Sequence, residues 1–170
     1  LAARYETGVL LVDRLVAKLL GGRLDARARL ELGSGQWRAT LKATDLDTGT
    51  ALAADQQESL GGTAHGWLDA AGHLDDTDRG WTRFNVGLLR HAETGPLPRR
   101  LQVEGELHAS RERLDIRRLK FSSSVLTARA NGRFWPQKLK MDLALKAEAQ
   151  RLRGFLLRLG KSPLLAALSV

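Results

Sequence analysis

Apolar and polar residues alternate one for one through four separate stretches of the chain: Leu24-Ala26-Ala28-Leu30-Leu32, Leu101-Val103-Gly105-Leu107-Ala109, Leu126-Ala128-Ala130-Gly132-Phe134 and Leu139-Met141-Leu143-Leu145-Ala147. Successive side chains of a strand point to opposite faces, so a period of two predicts a sheet with one apolar and one wet face. The intervening residues agree: Asp25, Arg27, Arg29 and Glu31, then Gln102, Glu104, Glu106 and His108, then Thr127, Arg129, Asn131 and Arg133, then Lys140, Asp142, Ala144 and Lys146. Only Ala144 breaks the rule, and a single alanine facing water costs little. What covers the apolar face is then the functional question.

The same period, with Gly, Asp, Pro and Ser between the runs, predicts strands at 23–32, 36–43, 63–72, 80–90, 99–109, 112–121, 124–134 and 138–147. Gly33-Ser34-Gly35 turns the first of these back on the second, and such short links imply an antiparallel meander. Val9 to Leu20 is ambiguous: Leu11, Leu15, Val16, Leu19 and Leu20 would line a helix, whereas Leu15, Ala17 and Leu19 would serve a strand. Thr50 to Leu60 loses the alternation and suits a short helix stopped by Gly61-Gly62. After Ala147 the period changes. Leu152, Phe155, Leu156 and Leu159 recur at helical spacing among Arg151, Arg153, Arg158 and Lys161, which predicts an amphipathic C-terminal helix at about 150–160. Three placements are open to it: a lid on the sheet, a membrane surface, or a neighbouring repeat.

Length and composition change this picture little. The 170 residues suffice for one domain over 1–170, its sheet at about 9–147, and 43% apolar with 27% charged residues are globular values. The absence of cysteine excludes a disulfide framework, a catalytic thiol and a thiolate zinc site. No apolar run approaches the ~20 residues that span a bilayer as a helix. A start at Leu1 without methionine reads as a fragment whose signal or anchor lies outside it. The net charge of +8 raises nucleic acid and anionic membrane as partners. The basic residues, however, alternate with carboxylates, and the densest group, Arg111, Arg113, Arg117, Arg118 and Lys120, has no aromatic for base stacking. Strict alternation would put Arg111, Arg113 and Arg117 on one side and Arg118 and Lys120 on the other. Nucleic acid is set aside as a partner.

No catalytic or metal constellation emerges. Asp76-Thr77-Asp78-Arg79-Gly80 opens like a calcium loop, but the closing position is Gly87, and Asp45-Leu46-Asp47-Thr48-Gly49 fails likewise at Gln56. His65, His73, His91 and His108 show no metal spacing, and Ser122-Ser123-Ser124 lacks a nucleophile elbow and reads as a turn. The Gly21-Gly22 and Gly61-Gly62 pairs lack a phosphate-loop context. Trp37, Trp67, Trp81 and Trp135 read as packing at or near strand ends, or as anchors at a lipid or partner surface. The expectation is a protein that is not an enzyme and needs no cofactor and no metal.

Three segments carry a family likeness: Leu15 to Leu24 as a strand, Gly21-Gly22, strand opening; Leu60 to Leu68 followed by Ala71-Gly72-His73; and Leu114 to Leu119 followed by Leu126 to Phe134. Together they make most of residues 8–150 resemble the AsmA and TamB superfamily of bacterial envelope proteins. The resemblance implies a long sheet curled into a trough (a β-taco) and a periplasmic location, with an inner-membrane anchor outside the fragment. It implies an apolar hydrophobic groove that holds phospholipid acyl chains and conducts lipid transport towards the outer membrane. A part in outer-membrane biogenesis, through its assembly machinery, comes with it. No catalytic residues do.

The sequence reading is therefore an all-β, mainly antiparallel, curled β-meander forming a trough, with one or two short helices, that binds lipid. Leu101, Val103, Leu107, Leu126, Leu139, Met141, Leu143 and Leu145 are the expected apolar lining. Expected partners are phospholipid acyl chains, neighbouring repeats of the same protein and, through open sheet edges, a second copy. The rival is a closed β-sandwich or jelly roll that fills a dry core and serves as an interaction or assembly module; patterning alone does not separate them, because both need one apolar face per strand.

Overall fold

The computed structural model describes residues 2–51, 61–76, 78, 80–91, 98–138 and 140–149. They form one open sheet of ten strands in which spatial order follows sequence order. The strands are β1 (Ala2–Glu6), β2 (Val9–Leu19), β3 (Gly22–Glu31), β4 (Gln36–Asp47), β5 (Gly62–His73), β6 (Gly80–Arg90), β7 (Arg100–Ala109), β8 (Leu114–Ser123), β9 (Leu126–Trp135) and β10 (Lys140–Ala149). Every neighbouring pair is antiparallel. The all-β antiparallel meander read from the sequence is the architecture of the chain, and its open sheet is consistent with a curled trough. Among the described residues no second sheet packs on it, unlike a sandwich or jelly roll.

Two features of the sequence reading change. Val9–Leu19 is strand, with Leu20 in the turn that follows, and a further strand, β1, precedes it. Thr48–Ala51 is a 3-10 turn, as is Pro136–Lys138. The rest of the helix expected at 50–60, and the C-terminal helix at about 150–160, lie outside the described residues.

The ambiguity of residues 9–20 has a structural cause. The β2–β3 ladder runs Leu10↔Leu30 and Val12↔Ala28, then resumes at Leu15↔Ala26 and Ala17↔Leu24. A bulge at Asp13-Arg14 thus sets two polar residues opposite Arg27 alone, and that one extra residue shifts the apolar phase, which mimics a helical spacing. The same device occurs in β4, where Ala43↔Gly66 is followed by Leu46↔Ala64, and in β8, where Ile116↔Gly132 is followed by Leu119↔Ala130. The strict alternation assumed for Arg117 and Arg118 fails at that last bulge: Asp115, Arg118 and Lys120 pair with the polar-face residues Arg133 or His108, Glu106, and Arg129 or Glu104. Bulges bend a strand and sharpen its twist, so they shape the sheet while returning apolar residues to one face.

Turns close the meander tightly. Thr7-Gly8 and Leu20-Gly21 have φ of 43° and 82°, and of 50° and 71°. Positive φ at both central residues is the turn whose twist matches that of the flanking strands. Gly22 follows because a Cβ there would strike the backbone of Thr44 and Asp45 across the ladder. Leu20 is the poor choice at such a turn, since a branched apolar side chain in the left-handed region is strained. Leu20→Asn is expected to raise stability by about 1 kcal/mol in urea titration. A lowered midpoint would contradict the turn geometry.

Candidate functional site: the apolar face of the sheet

Cross-strand partners share a face, so the register shows what each face presents. At mid-sheet one row reads Leu15, Ala26, Leu41, Leu68, Phe84, Gly105, Leu119, Ala130 and Leu145, from β2 to β10. The next reads Ala17, Leu24, Ala43, Gly66, Val86, Val103, Phe121, Ala128 and Ala147. No charged residue interrupts either. Ten strands about 4.8 Å apart and about 30 Å long give this face an area on the order of 1,300 Å².

Every expected lining residue that is described lies on this face. Leu101 pairs with Leu88 and Ser123, Val103 with Val86 and Phe121, and Leu107 with Thr82 and Ile116. Leu126 pairs with Ala149, Met141 with Phe134, Leu143 with Gly132 and Leu145 with Ala130. Leu139 lies outside the described residues. The sequence reading missed the contribution of β1, β2 and β6, whose Tyr5, Leu10, Phe84 and Leu88 extend the same face. The period-two signal was present in Thr82-Phe84-Val86-Leu88, whereas the β2 signal was hidden by its bulge.

Little of this face is covered by the described residues. Their one buried apolar residue is Ala70, at 7% exposure, while Met141 is 57% and Leu145 67% exposed. Small residues keep parts of the face shallow, and aromatic rings lie across two of the glycines. A Cβ on Gly105 would sit 2.6 Å from Phe84 Cζ, and one on Gly72 would sit 2.8 Å from the Trp37 ring. Such pairs restore cross-strand packing that glycine lacks. Trp37 is therefore on the apolar face, while Trp67, Trp81 and Trp135 are on the other, and Trp67 stands mid-strand, not at a strand end.

The opposite face is charged and internally paired. Arg38 donates to both carboxylate oxygens of Asp69 at 3.1 and 2.7 Å, and its guanidinium lies 5.9 Å from the Trp81 ring. Arg83 stacks on the same ring at 5.1 Å and pairs with Glu106 at 3.3 Å. Glu106 is also bonded to His108 Nε2 at 3.0 Å. That bond, followed by the charge of Arg83, holds the Glu106 carboxyl below its ordinary value. Exposed pairs of this kind contribute little singly but keep the face hydrated. Residues considered for chemistry have structural roles: Ser123 Oγ donates to Leu126 O and accepts from Val125 and Leu126 N, and Asp78 Oδ1 accepts from Arg111 N. Among the described residues no three His, Cys, Asp or Glu side chains cluster in a metal-binding arrangement.

The apolar rows end at Arg90, which pairs with Gly62 at the edge of the face and is 1% exposed. Burial pushes its guanidinium below the ordinary arginine value. No protein-family model, curated protein or solved structure matches the chain.

A depressed carboxyl stabilises the fold above its unfolded value and loses that contribution as pH falls through the folded one. Wild type should therefore exceed Glu106→Gln by about 0.2–0.5 kcal/mol at neutral pH. The difference should vanish as the pH drops below the ordinary 4.5 of a glutamate. A difference independent of pH, in urea titrations, would contradict the pairing.

Proposed function

We propose that this chain is a non-enzymatic lipid-binding segment whose apolar sheet face holds acyl chains. One observation carries the reading: an apolar surface continuous across ten strands, with large side chains exposed and no second layer among the described residues. Soluble monomers rarely expose more than a few hundred Å² of contiguous apolar surface, so a face of roughly 1,300 Å² calls for an occupant. A strand of about 30 Å exceeds the length of an extended acyl chain, and the width of the sheet leaves room for several side by side.

The likeness to AsmA and TamB proteins supports the wider setting: a periplasmic groove, anchored in the inner membrane by a part of the parent protein outside this chain, that passes phospholipid towards the outer membrane. Neighbouring repeats would continue the sheet at its open edges, and outer-membrane assembly machinery would be the further partner. The polar face, studded with paired charges, suits an aqueous compartment on the other side of the sheet.

Native mass spectrometry of the purified chain should find phospholipid bound, releasable by organic extraction. Leu143→Arg, on the apolar face, should cut retained lipid at least about fivefold, one charge at an acyl surface being worth over 1 kcal/mol. Lys146→Glu, on the polar face, should leave it unchanged. Lipid-free protein, or equal loss from both variants, would overturn the reading.

A further inference from the structure

Connections after β2, β4, β6 and β8 lie at one end of the sheet, and there a surface hollow is lined by Leu89, Arg99, Arg100, Gln102, Ser122, Ser123 and Ser124. Three other hollows each contain acid: Glu31, Asp115 with Asp142, and Asp25 with Asp69. This one contains none among its described residues, while two arginines line it. The Arg100 guanidinium, with nearby hydroxyls and no described carboxylate in the hollow, is the kind of donor set that recognises phosphate oxygens.

Its position gives that chemistry a use. Arg100 pairs with Leu89 and Ser122 with Gln102 on the polar face, whereas Ser123 pairs with Leu101 on the apolar face. The hollow therefore sits at the rim where the two faces meet. Leu88, Leu101 and Leu126 belong to the outermost apolar row beside it. The Ser123 hydroxyl is held in the turn to Leu126, so Arg100 with the hydroxyls of Ser122 and Ser124 supplies the donors.

We infer that this rim hollow binds the phosphate of an amphiphile whose acyl chains lie on the adjoining apolar face. The site rests on the lipid-binding reading above and adds to it a fixed polarity: headgroup at the β6–β7 and β8–β9 end, tails running towards the other. A free phosphate ion presents the same oxygens, so the source is decided by which probe is bound.

The test compares retention of dipalmitoyl phosphatidic acid with that of dipalmitoylglycerol, which has the same tails and lacks the phosphate. Wild type should retain the phosphatidic acid roughly tenfold better. Arg100→Gln should cut that preference at least threefold, and Ser124→Ala should cut it in the same direction. Both should leave dipalmitoylglycerol retention unchanged, which shows an intact fold and apolar face. Arg118→Gln, an equal charge loss elsewhere on the polar face, should leave the preference intact. Equal retention of the two lipids by wild type would overturn the rim site and leave the lipid-binding face standing. Neither lipid bound, with Arg100-dependent binding of inorganic phosphate in calorimetry, would overturn both readings in favour of a soluble anion.

Discussion

Everything in this protein depends on the segregation of side chains by the pleat of a single sheet. Among the described residues the sheet is a single layer with no interior, so the backbone ladders and the cross-strand rows hold it together, and one face is apolar over its whole width. Covering even a third of that face, roughly 400 Å² at about 25 cal/mol per Å², is worth roughly 10 kcal/mol. That equals the whole stability of an ordinary domain, about 5–15 kcal/mol. An occupant of the face is thus as large an energetic fact as the fold.

The details of the sheet serve that face. The bulges in β2, β4 and β8 let polar residues enter without sending later apolar residues to the wrong side. Glycines at Gly66, Gly105 and Gly132 keep the face shallow where a neighbouring backbone or the Phe84 ring comes close. On the other side, ion pairs such as Arg38 with Asp69 and Arg83 with Glu106 give the sheet a surface that water solvates without help. Two solvents, one aqueous and one hydrocarbon, match the two faces.

The fold was legible where the pattern was local. Strands β3, β7, β9 and β10 alternate with the single lapse of Ala144, and their lining residues Leu101, Val103, Leu107, Leu126, Met141, Leu143 and Leu145 all meet on one face. It was illegible where a bulge slipped the phase, as at Asp13-Arg14, or after Ile116, where the bulge returns Arg118 and Lys120 to the face of Asp115 that strict alternation denies them. The rim hollow was hidden for another reason. Arg100 and Ser122 are far apart in sequence and come together only because β7 and β8 pair in register, so no local spacing announces them. Ser122-Ser123-Ser124 read as a turn, and Ser123 does make one; the neighbouring hydroxyls gain their meaning from the arginine across the ladder.

The most direct test of the lipid-occupied face uses the tryptophans as position markers. Trp37 lies on the apolar face over Gly72, and Trp67 lies exposed mid-strand on the polar face. Single-tryptophan variants retaining one or the other would be loaded with phospholipid carrying brominated acyl chains, which quench indole fluorescence only on contact. Strong quenching of Trp37 with little change at Trp67 is the result the account predicts. Equal quenching of the two, or none of Trp37 in lipid-loaded protein, would contradict it.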